Sequence, residues 1–190
     1  ARAFGNWWEQ RHHHQLADLA HGALPPQGST VIIAGFGRVG QLLAKVLTEQ
    51  DIAYVAIEND ARLVTTLHPR GFPVYFGDAS RAELLQKVNA DRAAAVVLTM
   101  DHAASVLHAV KSIRREYPQL PVYARARDEA HAVALIQAGA TLVVPEALES
   151  ALQLTATVLH TVGLSEARTT DIVQAERDRR NAVLLAKKLS

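Results

Sequence analysis

One short segment constrains the fold of this chain more than any other: an apolar run that leads directly into three spaced glycines. Val31–Ala34 has the length of a strand and no polar residue, as expected for a strand buried on both faces. Gly35-Phe-Gly-Arg-Val-Gly40 follows at once and opens a segment with helical periodicity. The apolar stripe predicted for this helix consists of Val39, Leu42, Leu43, Val46 and Leu47. The segment therefore predicts a strand, a tight turn and a helix.

Further apolar runs of strand length follow, and helical segments separate them. They are Ala53–Ile57, Val74–Phe76, Ala94–Leu98, Val122–Ala124 and Thr141–Val144. Strands that alternate with helices in this way form a parallel sheet with right-handed crossovers. We therefore predict an α/β fold, a Rossmann-like doubly wound parallel sheet of six strands, followed by a crossover helix and a C-terminal helix. Ser80 with Glu83 has the spacing of a capping box, and Asp101 and Asp128 stand where helix N-caps are expected.

Composition shifts divide the chain into four predicted regions. They are a connecting segment with a short helix (1–28), the Rossmann domain (29–146), a dimerisation helix (147–164) and a C-terminal helical tail (165–190). The third region is apolar on more than one side, so it packs either on its own sheet or against a second copy of the chain, and we favour the homodimer. His12–His14 is interpreted as part of a polar linker, because three adjacent residues cannot all face one metal ion from a helix.

Composition excludes several classes of protein. The chain has no cysteine, which rules out a disulfide framework, a thiolate metal site and a cysteine nucleophile. A formal net charge of +1 gives no overall field for holding nucleic acid. No apolar stretch reaches the roughly 18–20 residues that a membrane span requires, and no secretory leader is expected at the start of the sequence.

The glycines have the spacing and context of a dinucleotide-binding loop. Gly35 permits the tight turn, Gly37 lets a phosphate approach the backbone, and Gly40 lets the helix pack on the strand. The free amides at the helix N-terminus suit a phosphate. Arg38 pairs either with this phosphate or with an acidic residue at the surface. Glu58 comes 18 residues after Gly40, where a carboxylate accepts hydrogen bonds from both ribose hydroxyls and repels the 2′-phosphate of NADP. The alternative is a solvated acid at a strand end.

Residues that follow later strands complete the candidate site. Asp78 and the backbone of Ala79 are predicted to read the adenine edge, unless Asp78 is only a turn residue, and Thr99–Asp101 should lie across the cleft. The full set of candidate cofactor-binding residues is Gly35, Phe36, Gly37, Arg38, Val39, Gly40, Glu58, Asn59, Asp78, Ala79, Thr99, Met100 and Asp101.

The sequence does not predict an enzyme. A short-chain reductase would carry Tyr-x-x-x-Lys, yet none of the four tyrosines is followed by lysine at that spacing. His102, His108 and His131 are candidate bases, but no position favours a catalytic arrangement or a metal site. The segment after the sixth strand is too short for a substrate domain. We therefore predict no catalytic residues.

Several motifs together resemble the potassium-transport nucleotide-binding domain, called RCK or KTN and of the TrkA-N type. They are Val31-Ile-Ile-Ala-Gly-Phe-Gly-Arg-Val-Gly40, Gly77-Asp-Ala-Ser-Arg81, Tyr123-Ala-Arg-Ala-Arg-Asp128 and Ala138-Gly-Ala140. The resemblance covers about residues 29–163 and is strongest to Kef-type, glutathione-regulated potassium-efflux antiporters.

This resemblance implies a cytoplasmic regulatory domain attached to a membrane cation:proton antiporter, with residues 1–28 as the connection. It implies AMP or NAD(H) as a bound ligand that is not turned over, and a homodimer formed through 147–164. Arg81 and either Arg125 or Arg127 match arginines that grip the carboxylates of glutathione. The protein would lie at the cytoplasmic face of the cell membrane. Alternatives are a freestanding regulatory subunit of a potassium-uptake system and the cofactor-binding domain of an NAD-dependent oxidoreductase.

Overall fold

The computed structural model describes residues 30–187, and a six-stranded sheet is the centre of the fold. The strands are Val31–Ala34 (β1), Tyr54–Glu58 (β2), Val74–Phe76 (β3), Ala95–Leu98 (β4), Val122–Ala126 (β5) and Leu142–Pro145 (β6). Their order is β3-β2-β1-β4-β5-β6, with parallel neighbours on both sides of β1. The predicted Rossmann-like sheet is confirmed. Its strand order reverses between β1 and β4, the switch point at which such sheets bind ligands.

Seven helices and two 3₁₀ turns connect or follow the strands within residues 30–187. The helices are Arg38–Glu49 (α1), Ala61–Leu67 (α2), Ala82–Lys87 (α3), Ala103–Glu116 (α4), Glu129–Gln137 (α5), Glu146–Thr161 (α6) and Glu166–Ala186 (α7), and the turns are His68–Arg70 and Ala90–Arg92. The chain divides into two compact units between Val122 and Tyr123. The predicted connecting segment 1–28 and the histidine triplet lie outside the described residues.

The core of the first unit contains a residue of the glycine loop. The side chain of Phe36 is completely buried, and its ring centroid lies 6.2 Å from that of Tyr54 and 5.7 Å from that of Phe72. Ile33 and Ala56, from β1 and β2, belong to the same cluster. The loop is therefore anchored in the hydrophobic core by its second residue.

Helix α1 faces the sheet with small residues rather than with its large apolar ones. Gly40, Ala44 and Thr48 are its buried positions, whereas Leu42 is 62% exposed. Val39 and Val46 are exposed as well, so the stripe predicted from the sequence was wrong for these three residues. The physical reason is the close contact between Gly40 and the loop backbone, which turns the small-residue face inward.

Of the predicted caps, one was right. Asp128 caps α5 by accepting a hydrogen bond from the backbone N–H of His131 at 2.8 Å. Ser80 does not cap α3, because Asp78 Oδ1 accepts the Ser80 N–H at 2.8 Å in a turn and the helix begins after Arg81. Asp101 was also wrong as a cap, since the N-cap of α4 is His102, without a side-chain capping bond.

Asp60 is an N-cap that the sequence interpretation missed. Its Oδ1 accepts the backbone N–H groups of Arg62 at 2.9 Å and Leu63 at 3.3 Å, at the start of α2. We expect Asp60→Ala to lower the free energy of unfolding by about 1 kcal/mol, because it leaves these amides without a partner. Asp60→Asn retains a capping oxygen, so its free energy of unfolding should stay within a few tenths of a kcal/mol of the wild-type value. Chemical denaturation of the three proteins checks this, and equal losses in both variants would contradict it.

The second unit presents an apolar face on helix α6. Leu152 is buried, but Leu154 is 66% exposed, Val158 is 52% exposed and Val162, just after the helix, is exposed as well. On its other side α6 packs against α7, where Arg177 donates to both oxygens of Glu149 at 2.9–3.3 Å. Within residues 30–187 none of the helices has the length and apolar character needed to cross a membrane.

Candidate functional site

The glycine loop joins β1 to α1 at the carboxyl edge of the sheet. Gly35 has φ +92°, and a Cβ there would lie 2.8 Å from the backbone nitrogen of Met100. A Cβ on Gly40 would collide with the carbonyl oxygen of Gly35. Gly37 differs from both, because a Cβ there would meet nothing within 4 Å. Two glycines thus serve the local packing, and the third leaves open space above the loop.

Helix α1 begins at this open space without a side-chain capping bond. Its N-cap is Gly37, which supplies no side chain, and its first turn contains no acidic residue. The first-turn amides of a helix have no partner inside the helix and attract anions. Arg38 and Val39 are both exposed at this end. The arrangement is suited to a phosphate group.

Glu58 lies at the end of β2, beside the loop. It is only 8% exposed, and its Oε2 accepts the backbone N–H of Phe36 at 2.6 Å. Its Oε1 accepts the N–H groups of Asn59 at 2.8 Å and Asp60 at 2.9 Å. Glu58 is therefore not a solvated strand-end acid. Its contact with a ribose remains a prediction.

Thr99 and Met100 reach the same loop from β4. The Thr99 hydroxyl lies 2.6 Å from the carbonyl oxygen of Gly35 and 3.2 Å from that of Ala34, and it donates to them. Met100 lies directly against Gly35. Asp101 is exposed and follows them at the edge of the sheet. The structure thus brings the loop, Glu58 and Thr99–Asp101 together at the switch point.

A cavity of about 370 Å³ opens beside the ends of β2 and β3. It is lined by Asn59, Phe76, Gly77, Asp78, Arg81, Glu83, Leu84 and Lys87. Phe76 is 60% exposed in it, and the sequence interpretation missed this residue because it counted Phe76 only as part of a strand. Ala79, the neighbour of Asp78, is buried.

Asp78 is held in its ionised form within this region. Burial acts against the charge, but hydrogen bonds from the backbone and hydroxyl of Ser80 and the positive charges of His108 and Arg81 outweigh it. Together they keep the pKa of Asp78 below its ordinary value. Asp78 is consequently a hydrogen-bond acceptor at neutral pH, which is what reading an amino group requires.

Arg125 and Arg127, the other predicted glutathione residues, belong to the second unit. Arg125 donates to Glu146 Oε2 at 3.0 Å, and its side chain is mostly buried. Arg127 lies 3.2 Å from Asp128 Oδ2 and is largely exposed. Arg127 is thus the more accessible of the two. Across residues 30–187, no group of three or more His, Cys, Asp or Glu side chains is arranged to hold a metal ion.

Comparison with known proteins identifies the family. The family model of the TrkA-N domain matches residues 31–146, which include every strand of the sheet. The chain belongs to the TrkA-N domain family. This confirms the resemblance inferred from the motifs. The TrkA-N match begins at β1 and ends as α6 begins, so it contains the glycine loop and the cavity.

Two curated relatives are potassium-efflux antiporters of Arabidopsis thaliana. The chain is 44% identical to the chloroplastic K(+) efflux antiporter 1 over 129 residues, and 42% identical to antiporter 2 over the same length. Each alignment covers 68% of this chain but 11% of the relative. The chain therefore spans about a tenth of the length of these relatives.

Solved structures of related domains have the same fold. The AMP-bound Kef CTD of Shewanella denitrificans has a TM-score of 0.73 and 29% identity, covering 84% of this chain and 98% of that one. The TrkA-N domain of the Escherichia coli inner membrane protein ybaL has a TM-score of 0.63 and 28% identity, covering 68% and 96%. The GsuK channel bound to NAD has a TM-score of 0.55 and 26% identity, covering 69% and 23%.

Proposed function

We propose that this chain is a ligand-sensing regulatory domain that binds an adenine nucleotide, AMP or NAD(H), between the glycine loop and Thr99–Asp101. The observation that carries the proposal is the open space above Gly37, at the uncapped N-terminus of α1. A phosphate fits there, with the ribose toward Glu58 and the base toward Asn59, Asp78 and the backbone of Ala79. The similarity to an AMP-bound Kef domain and an NAD-bound channel supports the choice of ligand.

The domain would regulate a potassium-efflux, cation:proton antiporter at the cytoplasmic face of the membrane, connected through residues 1–28. Its sequence relatives are potassium-efflux antiporters, which supports this role. The nucleotide would act by binding one arrangement of the domain better than another and so shifting the population. No turnover of the nucleotide is part of this function, and the chain would not be an enzyme.

A homodimer formed through residues 147–164 completes the proposal. The exposed apolar face of α6 supports it, because a contiguous apolar patch at the surface marks an interaction site. Glutathione is a further candidate ligand, and Arg81 in the first unit and Arg125 or Arg127 in the second are separate candidates for pairing with a carboxylate. Guanidinium groups bind carboxylates through two parallel hydrogen bonds, which suits a peptide with two such groups.

Titration calorimetry with AMP, NADH and NADPH tests the nucleotide proposal. We expect AMP and NADH to bind, and NADPH to bind at least about tenfold more weakly, because its 2′-phosphate meets the negative charge of Glu58. Glu58→Gln should narrow the gap between NADH and NADPH. Failure of all three ligands to bind would refute the proposed function, and equal affinity for NADH and NADPH would refute the ribose position.

A further inference from the structure

Two residues predicted to touch the ligand, Glu58 and Thr99, are bonded to the backbone of the glycine loop. Glu58 ends β2 and Thr99 follows β4, and these are the two strands that flank β1 in the sheet. We propose that Glu58 and Thr99 are positioning residues that brace the glycine loop from both sides, and that affinity for the phosphate of the ligand depends on this brace. The inference rests on the proposed nucleotide function.

The brace holds both ends of one peptide group, the one that joins Gly35 to Phe36. Thr99 Oγ1 donates to the carbonyl oxygen of Gly35 at 2.6 Å, and Glu58 Oε2 accepts the N–H of the next residue, Phe36, at 2.6 Å. The carbonyl oxygen of Phe36 accepts Gln41 Nε2 at 2.9 Å, and its ring is buried in the core. Since the N–H of Phe36 is already used, the phosphate must be bound by the amides that follow it. Their direction follows from the Gly35–Phe36 peptide group, which Glu58 and Thr99 hold at its two ends.

The number of hydrogen bonds that Glu58 can accept also indicates that it mainly holds the backbone. An ionised carboxylate has about four lone-pair positions for hydrogen bonds. Backbone N–H groups of Phe36, Asn59 and Asp60 occupy three of them. While these bonds persist, the carboxylate accepts one ribose hydroxyl rather than two. Most of its hydrogen bonds therefore stabilise the loops that follow β1 and β2, and not the ligand.

Two substitutions separate the brace from direct ribose binding. In Glu58→Gln the single amide oxygen serves Asn59 and Asp60, so the NH₂ group faces the N–H of Phe36 and the bond to the loop is lost. Thr99→Val removes the hydroxyl bonded to Gly35 and keeps the branched shape. Asp60→Asn is the matched control, because it makes the same acid-to-amide change on the same loop in a side chain that caps α2.

Affinities for AMP and adenosine, measured by calorimetry, are the readout specific to the phosphate. We expect Glu58→Gln to weaken AMP about tenfold more than adenosine, and Thr99→Val to weaken AMP about threefold more, as loss of one charged or one neutral hydrogen bond would do. Asp60→Asn should leave the ratio of the AMP affinity to the adenosine affinity unchanged. Equal losses for AMP and adenosine in both brace variants would overturn the proposal and assign Glu58 to the ribose.

Hydrogen exchange of the ligand-free proteins provides a test that needs no nucleotide. The amide of Phe36 should exchange at least about tenfold faster in Glu58→Gln than in wild type or Asp60→Asn, because its acceptor is gone. Unchanged exchange would overturn the brace even if affinity fell. Wild-type protein that binds neither AMP nor NADH nor NADPH would refute the proposed function, and the exchange rates would still decide whether Glu58 holds the loop.

Discussion

Gly37→Asp is expected to abolish the binding of AMP and NADH without unfolding the protein. The backbone of Gly37 is extended, with φ −71°, and a Cβ there meets nothing within 4 Å, so the side chain is accommodated. Aspartate is moreover a favourable N-cap, so α1 should not lose stability. Its carboxylate occupies the phosphate position and repels the ligand by up to about 4 kcal/mol at 4 Å in a partly screened site, a loss above about 100-fold.

Calorimetry with AMP measures this loss, and thermal unfolding shows whether the fold persists. Gly37→Asn is the matched control, because it has nearly the same shape without the charge and should lose less affinity. Gly40→Ala shows what a folding defect looks like in the same assays. The added Cβ collides with the carbonyl oxygen of Gly35, so we expect this variant to unfold at a lower temperature. Unchanged AMP affinity in Gly37→Asp would place the phosphate elsewhere.

The double variant Leu154→Asp with Val158→Asp is expected to convert the proposed homodimer to a monomer. The two residues lie one turn apart on α6, are 66% and 52% exposed, and therefore share one accessible face. Two carboxylates on this face from each copy would be buried without partners, which should weaken association by at least about 100-fold. Sedimentation velocity over a range of concentrations measures the change.

The control for this variant is Gln153→Asp, which adds a carboxylate at an exposed position on the flank of the same helix. It should remain a dimer. A chain that ends before Leu148 lacks the same face and should also be monomeric. If the double variant sediments as a dimer like wild type, α6 does not form the interface.

The strands and their parallel arrangement followed from patterns that are local in the sequence. Continuous apolar runs such as Val31–Ala34 predict strands buried on both faces, and their alternation with helices predicts a parallel sheet with right-handed crossovers. The roles of Gly35 and Gly40 were also readable, because a positive φ and a close helix–strand contact each require a residue without Cβ. Asp128 was recognised as a cap because the amide that it binds lies only three residues away in the sequence.

Contacts between residues distant in sequence were decided by the tertiary structure. Helical periodicity marked Val39, Leu42 and Val46 as a buried stripe, yet the approach of Gly40 to the loop turns them outward. The bond from Thr99 to Gly35 joins residues 64 positions apart, and that from Phe36 to Glu58 joins residues 22 apart.

The amino-acid sequence by itself determined the sheet, the glycine loop and the family, because these depend on residue type and local spacing. Whether a polar side chain at the strand ends faces a ligand or the backbone was decided only in three dimensions. The reason is that buried N–H and C=O groups must find partners, and which carboxylate or hydroxyl satisfies them depends on how neighbouring strands bring distant residues together.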